Sequence, residues 1–332
     1  MHSAFGYYLK RRGLLYAIFR KGSSFFGYDK ALVNGNRALT HFFYDYFRKM
    51  NADSLQEELT EQMAVFYSKL SDENLSCIDK PKTFTEKIQW LKVHGDIAKM
   101  TVLADKVKAR NVVGEIIGDS HIIPLVGGPY KSIKEIEFSK LPDKYVLKAN
   151  HGSGMNIVVA NGSPDEAYIQ RRARVWLNTL YGWKGCENQY FGIEPLLYAE
   201  QYIEGLDGNL FDYKVHCFDG HPKFIQVIGN RDLKKHAGRQ KNYDFNWSDL
   251  GWVFEDYPAY ETELKKPECL SEMYDIASKL SAGFPYVRVD MYEIDGMVYF
   301  GEMTFTPASG IYPYKGTWNK NINYLLGEWI PV

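Results

Sequence analysis

Apolar residues recur at three- and four-residue spacing over Ser54–Leu70 and Thr83–Val93, and few turn signals interrupt the first 115 residues. That pattern predicts a mostly helical N-terminal third with no evident strand. Beyond His121 the texture changes to short apolar or β-branched runs separated by Gly, Asp and Asn, the pattern of strands and tight turns. A boundary is therefore expected within 115–145. One later helix is marked by Ser163-Pro164-Asp165-Glu166, which offers an N-cap, a Pro in the first turn and a capping-box Glu. Ile169, Ala173, Trp176, Leu177 and Leu180 then share a face, and Gly182 is expected to end it. Turn chemistry marks two hairpins, Phe211–Ile228 around Asp219-Gly220 and Tyr286–Phe305 around Asp295-Gly296. The sum is a mixed α+β chain without internal repeats or low-complexity tracts.

Composition narrows the class. The 332 residues are 45% hydrophobic and 24% charged, which suits a globular body of about two domains and excludes disordered, collagenous and membrane-spanning chains. A net charge of -1 is no footprint for duplex DNA, whose affinity depends on clustered Lys and Arg, so no nucleic-acid partner is expected. The total hides an asymmetry. Residues 1–50 carry nine Lys/Arg against Asp29 and Asp45, a balance of +7, and the remainder is -8. Cys77, Cys186, Cys217 and Cys269 lie far apart, with no Cys-x-x-Cys and no Cys/His spacing that suits a metal, which reads as a reduced, cytoplasmic chain. The apolar run Leu14–Phe19 is too short for a signal or a spanning helix, so no export is expected. Residues 1–25 mix aromatic and aliphatic side chains with five basic ones. Two readings stand: a packed helix with a solvated basic face, or a helix on the inner face of an anionic membrane.

Three segments carry candidate chemistry. In Tyr145–Val159 two apolar runs flank a loop with Gly152 and Gly154, preceded by Lys148. Glycines let backbone N–H groups converge on an anion, and a lysine adds a point charge; a plain hairpin turn fits the same residues. The loop has no third Gly and opens no helix, so the dinucleotide fingerprint fails. In Phe211–Phe218, period-two geometry puts Asp212, Lys214 and His216 on one face and Tyr213, Val215 and Cys217 on the other. An exposed strand face would read alike. In Tyr286–Thr304, Arg288 and Asp290 share a face, and Asp290 with Glu302 on the adjacent strand offers two carboxylates to a hard cation such as Mg²⁺; a surface ion cluster is the rival reading. Register supplies a check, because a strict two-residue turn at Asp295-Gly296 pairs Asp290 with Gly301 and sends Glu302 to the wrong face. A metal site therefore requires a bulge or a longer loop in this hairpin.

The order of these features, together with Lys80–Leu91, Ala104–Arg110, Lys148–Gly154, Asp212–Gly220 and Gly301–Pro307, resembles the ATP-grasp superfamily and its TupA-like branch, named for teichuronopeptide synthesis. The likeness spans roughly residues 75–315. It implies an ATP-grasp fold with two α+β subdomains clasping a nucleotide: a helical basic region at 1–80, a first ATP-grasp segment at 81–140, a lid subdomain with the Gly-rich loop at 141–199, and a catalytic subdomain at 200–332. It further implies that Lys106 and Lys148 grip ATP phosphates beneath a loop of Gly152, Ser153 and Gly154. Glu200, Gln201 and Ile203 would meet adenine, Asp212 the ribose, and Lys214 the phosphates. Asp290 and Glu302 would bind Mg²⁺ together with Thr304, where relatives often carry Asn, and Arg288 would face the reacting carboxyl group. The implied activity is an ATP- and Mg²⁺-dependent carboxylate–amine ligase that acts through an acyl phosphate. It would join an amino acid to a uronic acid of a surface polysaccharide precursor. A phosphotransferase acting on a sugar, or a non-catalytic nucleotide-binding partner of a glycosyltransferase complex, would use the same fold. Glycosyl transfer itself lacks an Asp-x-Asp.

Overall fold

The computed structural model describes residues 80–332 apart from 161–164, 180, 205–209, 233–236 and 255–256. The expected helix over 54–70, the basic segment and Cys77 lie outside the described residues. Helix α1, Phe84–His94, starts where its sequence predicts: the Thr83 hydroxyl accepts from the Glu86 N–H, and the Glu86 carboxylate accepts from the Thr83 N–H, a reciprocal cap of two orphan donors. Helices α2, Ile97–Ala104, and α3, Lys108–Ile117, follow.

Two antiparallel sheets then form. The smaller has the order β1-β4-β2-β3, from Leu125–Tyr130 (β1), Tyr145–Ala149 (β2), Asn156–Val159 (β3) and Leu197–Gln201 (β4). Its β1 lies before residue 141, and β4 runs across 199/200. Helix α4, Glu166–Leu177, packs Ile169, Ala173 and Trp176 against Tyr145, Leu147 and Ala149 of β2. Its start and end differ from the sequence expectation. The N-cap is Asp165, whose carboxylate accepts from Tyr168 N–H, while Ser163 lies outside the described residues. The helix stops at Leu177 because Asn178 and Thr179 turn back onto it: Asn178 Nδ2 donates to Arg174 O and Thr179 Oγ1 to Val175 O, satisfying the last carbonyls. Gly182 falls in a separate short helix α5, Tyr181–Gly185.

The larger sheet has the order β7-β6-β5-β8-β9, from Asp212–Phe218 (β5), His221–Asp232 (β6), Ala237–Tyr243 (β7), Tyr286–Ile294 (β8) and Met297–Thr304 (β9). Both predicted hairpin turns are present, with Asp219-Gly220 and Asp295-Gly296 at positive φ in all four residues, as a type I′ turn requires. One face packs on α6, Leu270–Ser281, whose Met273, Ile276, Ala277 and Leu280 meet Val215, Cys217, Val287 and Val289. Of these, each buried Met, Ile, Leu and Val side chain contributes about 1.5–3 kcal/mol by leaving water. The opposite face is covered at one end by α1 and by α7, Lys320–Glu328, through an aromatic cluster of Phe84, Phe218, Phe254, Tyr286, Tyr312 and Trp318. The other end of that face carries the polar residues.

The hairpin of β8 and β9 meets the register condition. Ile294↔Met297 through Met291↔Phe300 follow the strict two-residue turn, and the register then shifts so that Asp290 pairs with Glu302. Gly301 is the extra residue of the bulge. A Cβ there would sit 3.0 Å from the Asp290 carbonyl oxygen, tighter than an ordinary contact, so glycine suits the close approach. Before the bulge, Val298 and Phe300 face the core; after it, Met303 and Phe305 do, which leaves Glu302 and Thr304 on the polar face.

Candidate active site

Cross-strand pairing sets the site. Lys214 lies opposite Asp290, His216 opposite Arg288, Asp290 opposite Glu302, and Arg288 opposite Thr304, so these side chains share one face. Asp212, Lys214 and His216 are buried, which removes the reading of an exposed strand face. Asp290, 1% exposed, is held from two sides. Arg288 Nε donates to its Oδ1 at 2.6 Å and Nη2 to its Oδ2 at 2.7 Å, while Lys214 Nζ reaches Oδ2 at 2.5 Å and Asp212 at 3.1 Å. This is a planar guanidinium fork, which no ammonium reproduces. Arg288 Nη2 also donates to Thr304 Oγ1 at 3.2 Å, and that hydroxyl donates to Glu302 at 3.4 Å. Lys106, from the α2–α3 turn, binds Glu302 at 2.9 Å and the Gly152 carbonyl at 2.8 Å, joining the Gly-rich loop to the large sheet.

Burial opposes ionisation of Glu302, but Lys106, Lys214 and Arg288 outweigh it and hold the carboxyl down to about 2. The cluster is balanced, with Lys106, Lys214 and Arg288 against Asp212, Asp290 and Glu302. Two carboxylates side by side fit the oxygen donors that Mg²⁺ takes. Among the described residues no three His, Cys, Asp or Glu converge as a metal cage, so a cation held here would draw its remaining ligands from water or a phosphate. His216 is no proton carrier: burial, then Arg288, keeps it well below the usual imidazole range between the Phe224 and Phe254 rings.

A second cluster lies on the small sheet. Glu200 is bracketed by Lys148, which forms a very short contact to Oε2, and by Arg110 from α3, 2.7 Å from Oε1. Arg110 stands in the Ala104–Arg110 segment, whose expected role falls on Lys106 alone, and nothing local marks its pairing with Glu200. The Gln201 side chain is exposed and Ile203 is partly buried, and neither joins this cluster. Ser153 and Gly154 are exposed, and Gly154 has φ +71° with open space around it. The base of their loop is fixed, since Asn150 Nδ2 donates to Asp105 Oδ1 at 2.9 Å and Lys106 N–H to Asn150 O at 3.1 Å.

His151 in this loop is buried, with Nε2 3.0 Å from Trp176 O. Burial pushes its pKa down to about 4, the Trp176 carbonyl acting in the opposite direction. The unfolded chain therefore binds a proton between pH 6.5 and 4 that the native chain rejects, and stability is lost as pH falls through that window. Between pH 7 and 5, above the range where Glu302 titrates, His151 alone is expected to cost about 2 kcal/mol. Denaturant unfolding of the protein and of His151→Gln at both pH values checks this; equal pH slopes contradict it.

A TupA-like ATP-grasp family model matches residues 86–331, and no curated protein matches the chain. Similar solved structures include D-alanine–D-alanine ligases of Bacillus anthracis (20% identity, 61% of this chain and 57% of that one, TM-score 0.34) and Helicobacter pylori (15%, 69% and 62%, 0.36). The ATP-grasp ligase PsnB complexed with its minimal precursor shares 10% identity over 64% of this chain and 54% of its own, at TM-score 0.33. The chain thus spans between 54% and 62% of these structures' length. With the family model covering most of the sequence, the chain belongs to the TupA-like ATP-grasp family.

Proposed function

We propose that this protein is an ATP- and Mg²⁺-dependent carboxylate–amine ligase, and that its substrates are an amino acid and a uronic acid of a surface polysaccharide precursor such as a capsule, O-antigen or cell-wall glycan. The observation that carries the catalytic part is the bulge at Gly301, which sets Glu302 beside Asp290 under Lys214, Arg288 and Lys106. The glycan part rests on the family's name. The cytoplasmic placement, at the inner face of a membrane, rests on the reduced-cysteine pattern and the basic residues 1–50.

A carboxylate is a poor electrophile until one of its oxygens takes the γ-phosphoryl group. The carboxylate oxygen forms a bond to phosphorus, the bond to ADP breaks, and an amine then adds to the acyl carbon and expels phosphate as it loses a proton. Both first reactants are anionic, so the site must cancel repulsion. Mg²⁺, when bound to Asp290 and Glu302, supplies charge neutralisation at the transferring group. Lys106, Lys148 and Lys214 now rest on carboxylates and would exchange these partners for phosphate oxygens. Asp212 would hold the ribose. Glu200, Gln201 and Ile203 would meet adenine, with the Glu200 carboxylate still held by Arg110 once Lys148 turns to phosphate. Arg288 would orient the carboxyl group and stabilise the oxyanion formed as the amine adds. The loop at Gly152–Gly154 would close over the phosphates and exclude water, which otherwise hydrolyses an acyl phosphate.

Screening ADP release across amino acids paired with uronates tests the reading. One pair should raise ADP formation well above the ATP-only rate and only with Mg²⁺. ADP formation that ignores every amine while a phosphorylated sugar accumulates would instead mark a phosphotransferase.

A further inference from the structure

Directly after Thr304 the chain enters a loop, Thr306–Gly310, with an unusual backbone. Ala308 (φ 47°, ψ 30°) and Ser309 (φ 55°, ψ 26°) are left-handed, followed by Gly310 at φ +64°. Two consecutive non-glycine residues in that region are strained and persist only when their surroundings over-determine them. The clamp is visible. From α1, Lys92 Nζ donates to Ser309 O at 2.7 Å, and Gln89 Nε2 donates to Ser309 O at 3.0 Å and to Gly310 O at 2.9 Å. From the turn after α5, Glu187 accepts from the Thr306 hydroxyl at 2.5 Å and the Ser309 hydroxyl at 3.1 Å, and Gln189 Nε2 donates to Thr306 Oγ1 at 2.8 Å. Lys92 ties the two sides together, since its ammonium also reaches Gly185 O at 2.7 Å and Gln89 Oε1 at 2.8 Å.

The fit depends on close approach at two glycines. A Cβ on Gly185 would meet Ser309 Oγ at 2.2 Å, and one on Gly310 would meet Gln89 Nε2 at 2.6 Å. Lys92 is 1% exposed, a costly place for an ammonium unless carbonyls compensate it. Its reach to the site runs along one strand end: Thr306 is two residues from Thr304, which bonds both Arg288 and Glu302. We infer that Lys92 is a positioning residue: with Gln89 and Glu187 it holds the strained loop Thr306–Gly310 behind the Arg288–Asp290–Glu302 cluster, so that its loss costs turnover and spares nucleotide binding. The turnover part rests on the ligase reading; the clamp itself does not.

The test uses the full chain with Lys92→Met, and Gln89→Leu in case the first variant fails to fold. Three quantities are read: the Kd for Mg–ATP, acceptor-dependent kcat, and hydrogen exchange at the amides of Ser309 and Ile311, which bond Thr306 O and Ala308 O. Expected are a Kd within about twofold, a kcat lower by up to about 100-fold, the scale of a displaced reacting geometry, and exchange at least about tenfold faster at those two amides with β9 unchanged. Adding Ser309→Gly, which adopts positive φ without strain, should restore part of the lost turnover. Unchanged exchange and kcat overturn the inference, as does a parallel loss of Kd, kcat and melting temperature, which marks a purely structural lysine. If the unaltered protein releases no acceptor-dependent ADP, the ligase reading has failed, and the exchange rates with Kd decide the clamp alone.

Discussion

Asp290→Asn is expected to abolish acceptor-dependent turnover and to lower the unfolding free energy by about 3–5 kcal/mol. The carboxylate is buried and is the shared partner of Arg288 and Lys214. Its loss leaves two cations in the interior facing a neutral amide. Glu302→Gln separates the two effects. That side chain is 27% exposed and its close partner Lys106 is itself partly exposed, so water can solvate what the substitution uncovers, and the stability loss should be less than half that of Asp290→Asn. Turnover should still fall by at least about 10³-fold, because one of the two carboxylates proposed to hold the cation is gone. Denaturant unfolding beside steady-state ADP release checks both variants; comparable stability losses would place Glu302 in a structural role.

Arg288→Lys carries the second largest effect, a fall in kcat of about 10²–10³-fold with little change in melting temperature. The charge is kept, and a lysine can still pair with Asp290. What is lost is the fork of Nε and Nη2 and, with it, the donor that reaches Thr304. An ammonium is a point charge with no fixed plane, so orientation of the carboxyl group should suffer more than stability. A Lys variant with unaltered kcat would remove Arg288 from the chemistry.

Much of this was legible in the chain because the relevant signals are local. Apolar spacing over Thr83–Val93 announces α1, Asp219-Gly220 and Asp295-Gly296 announce the hairpin turns, and period-two alternation puts Asp212, Lys214 and His216 together. The bulge could be stated as a condition, since turn length and side-chain parity together demand it, but its position at Gly301 needed the register itself. Contacts between distant segments left no local mark. Arg110 meets Glu200 across 90 positions, and Lys92 meets Ser309 across 217; neither pairing follows from spacing or composition. Helix α4 shows the limit of cap reading: Ser163 and Asp165 are both good N-caps two residues apart, and the choice fell to Asp165, which bonds Tyr168 N–H. Its early end came from Asn178 and Thr179 bonding backward, a competition that apolar periodicity does not register.

In the proposed reaction Asp290, Glu302 and Arg288 serve the activation of a carboxylate. Hydroxylamine tests it most directly, by intercepting an acyl phosphate before the natural amine does. With ATP, Mg²⁺ and the uronate that raises ADP release, the protein should form a hydroxamate in step with ADP, and Glu302→Gln should form none. ADP formation accompanied by a stable phosphoester, with no hydroxamate at any hydroxylamine concentration, would contradict the account.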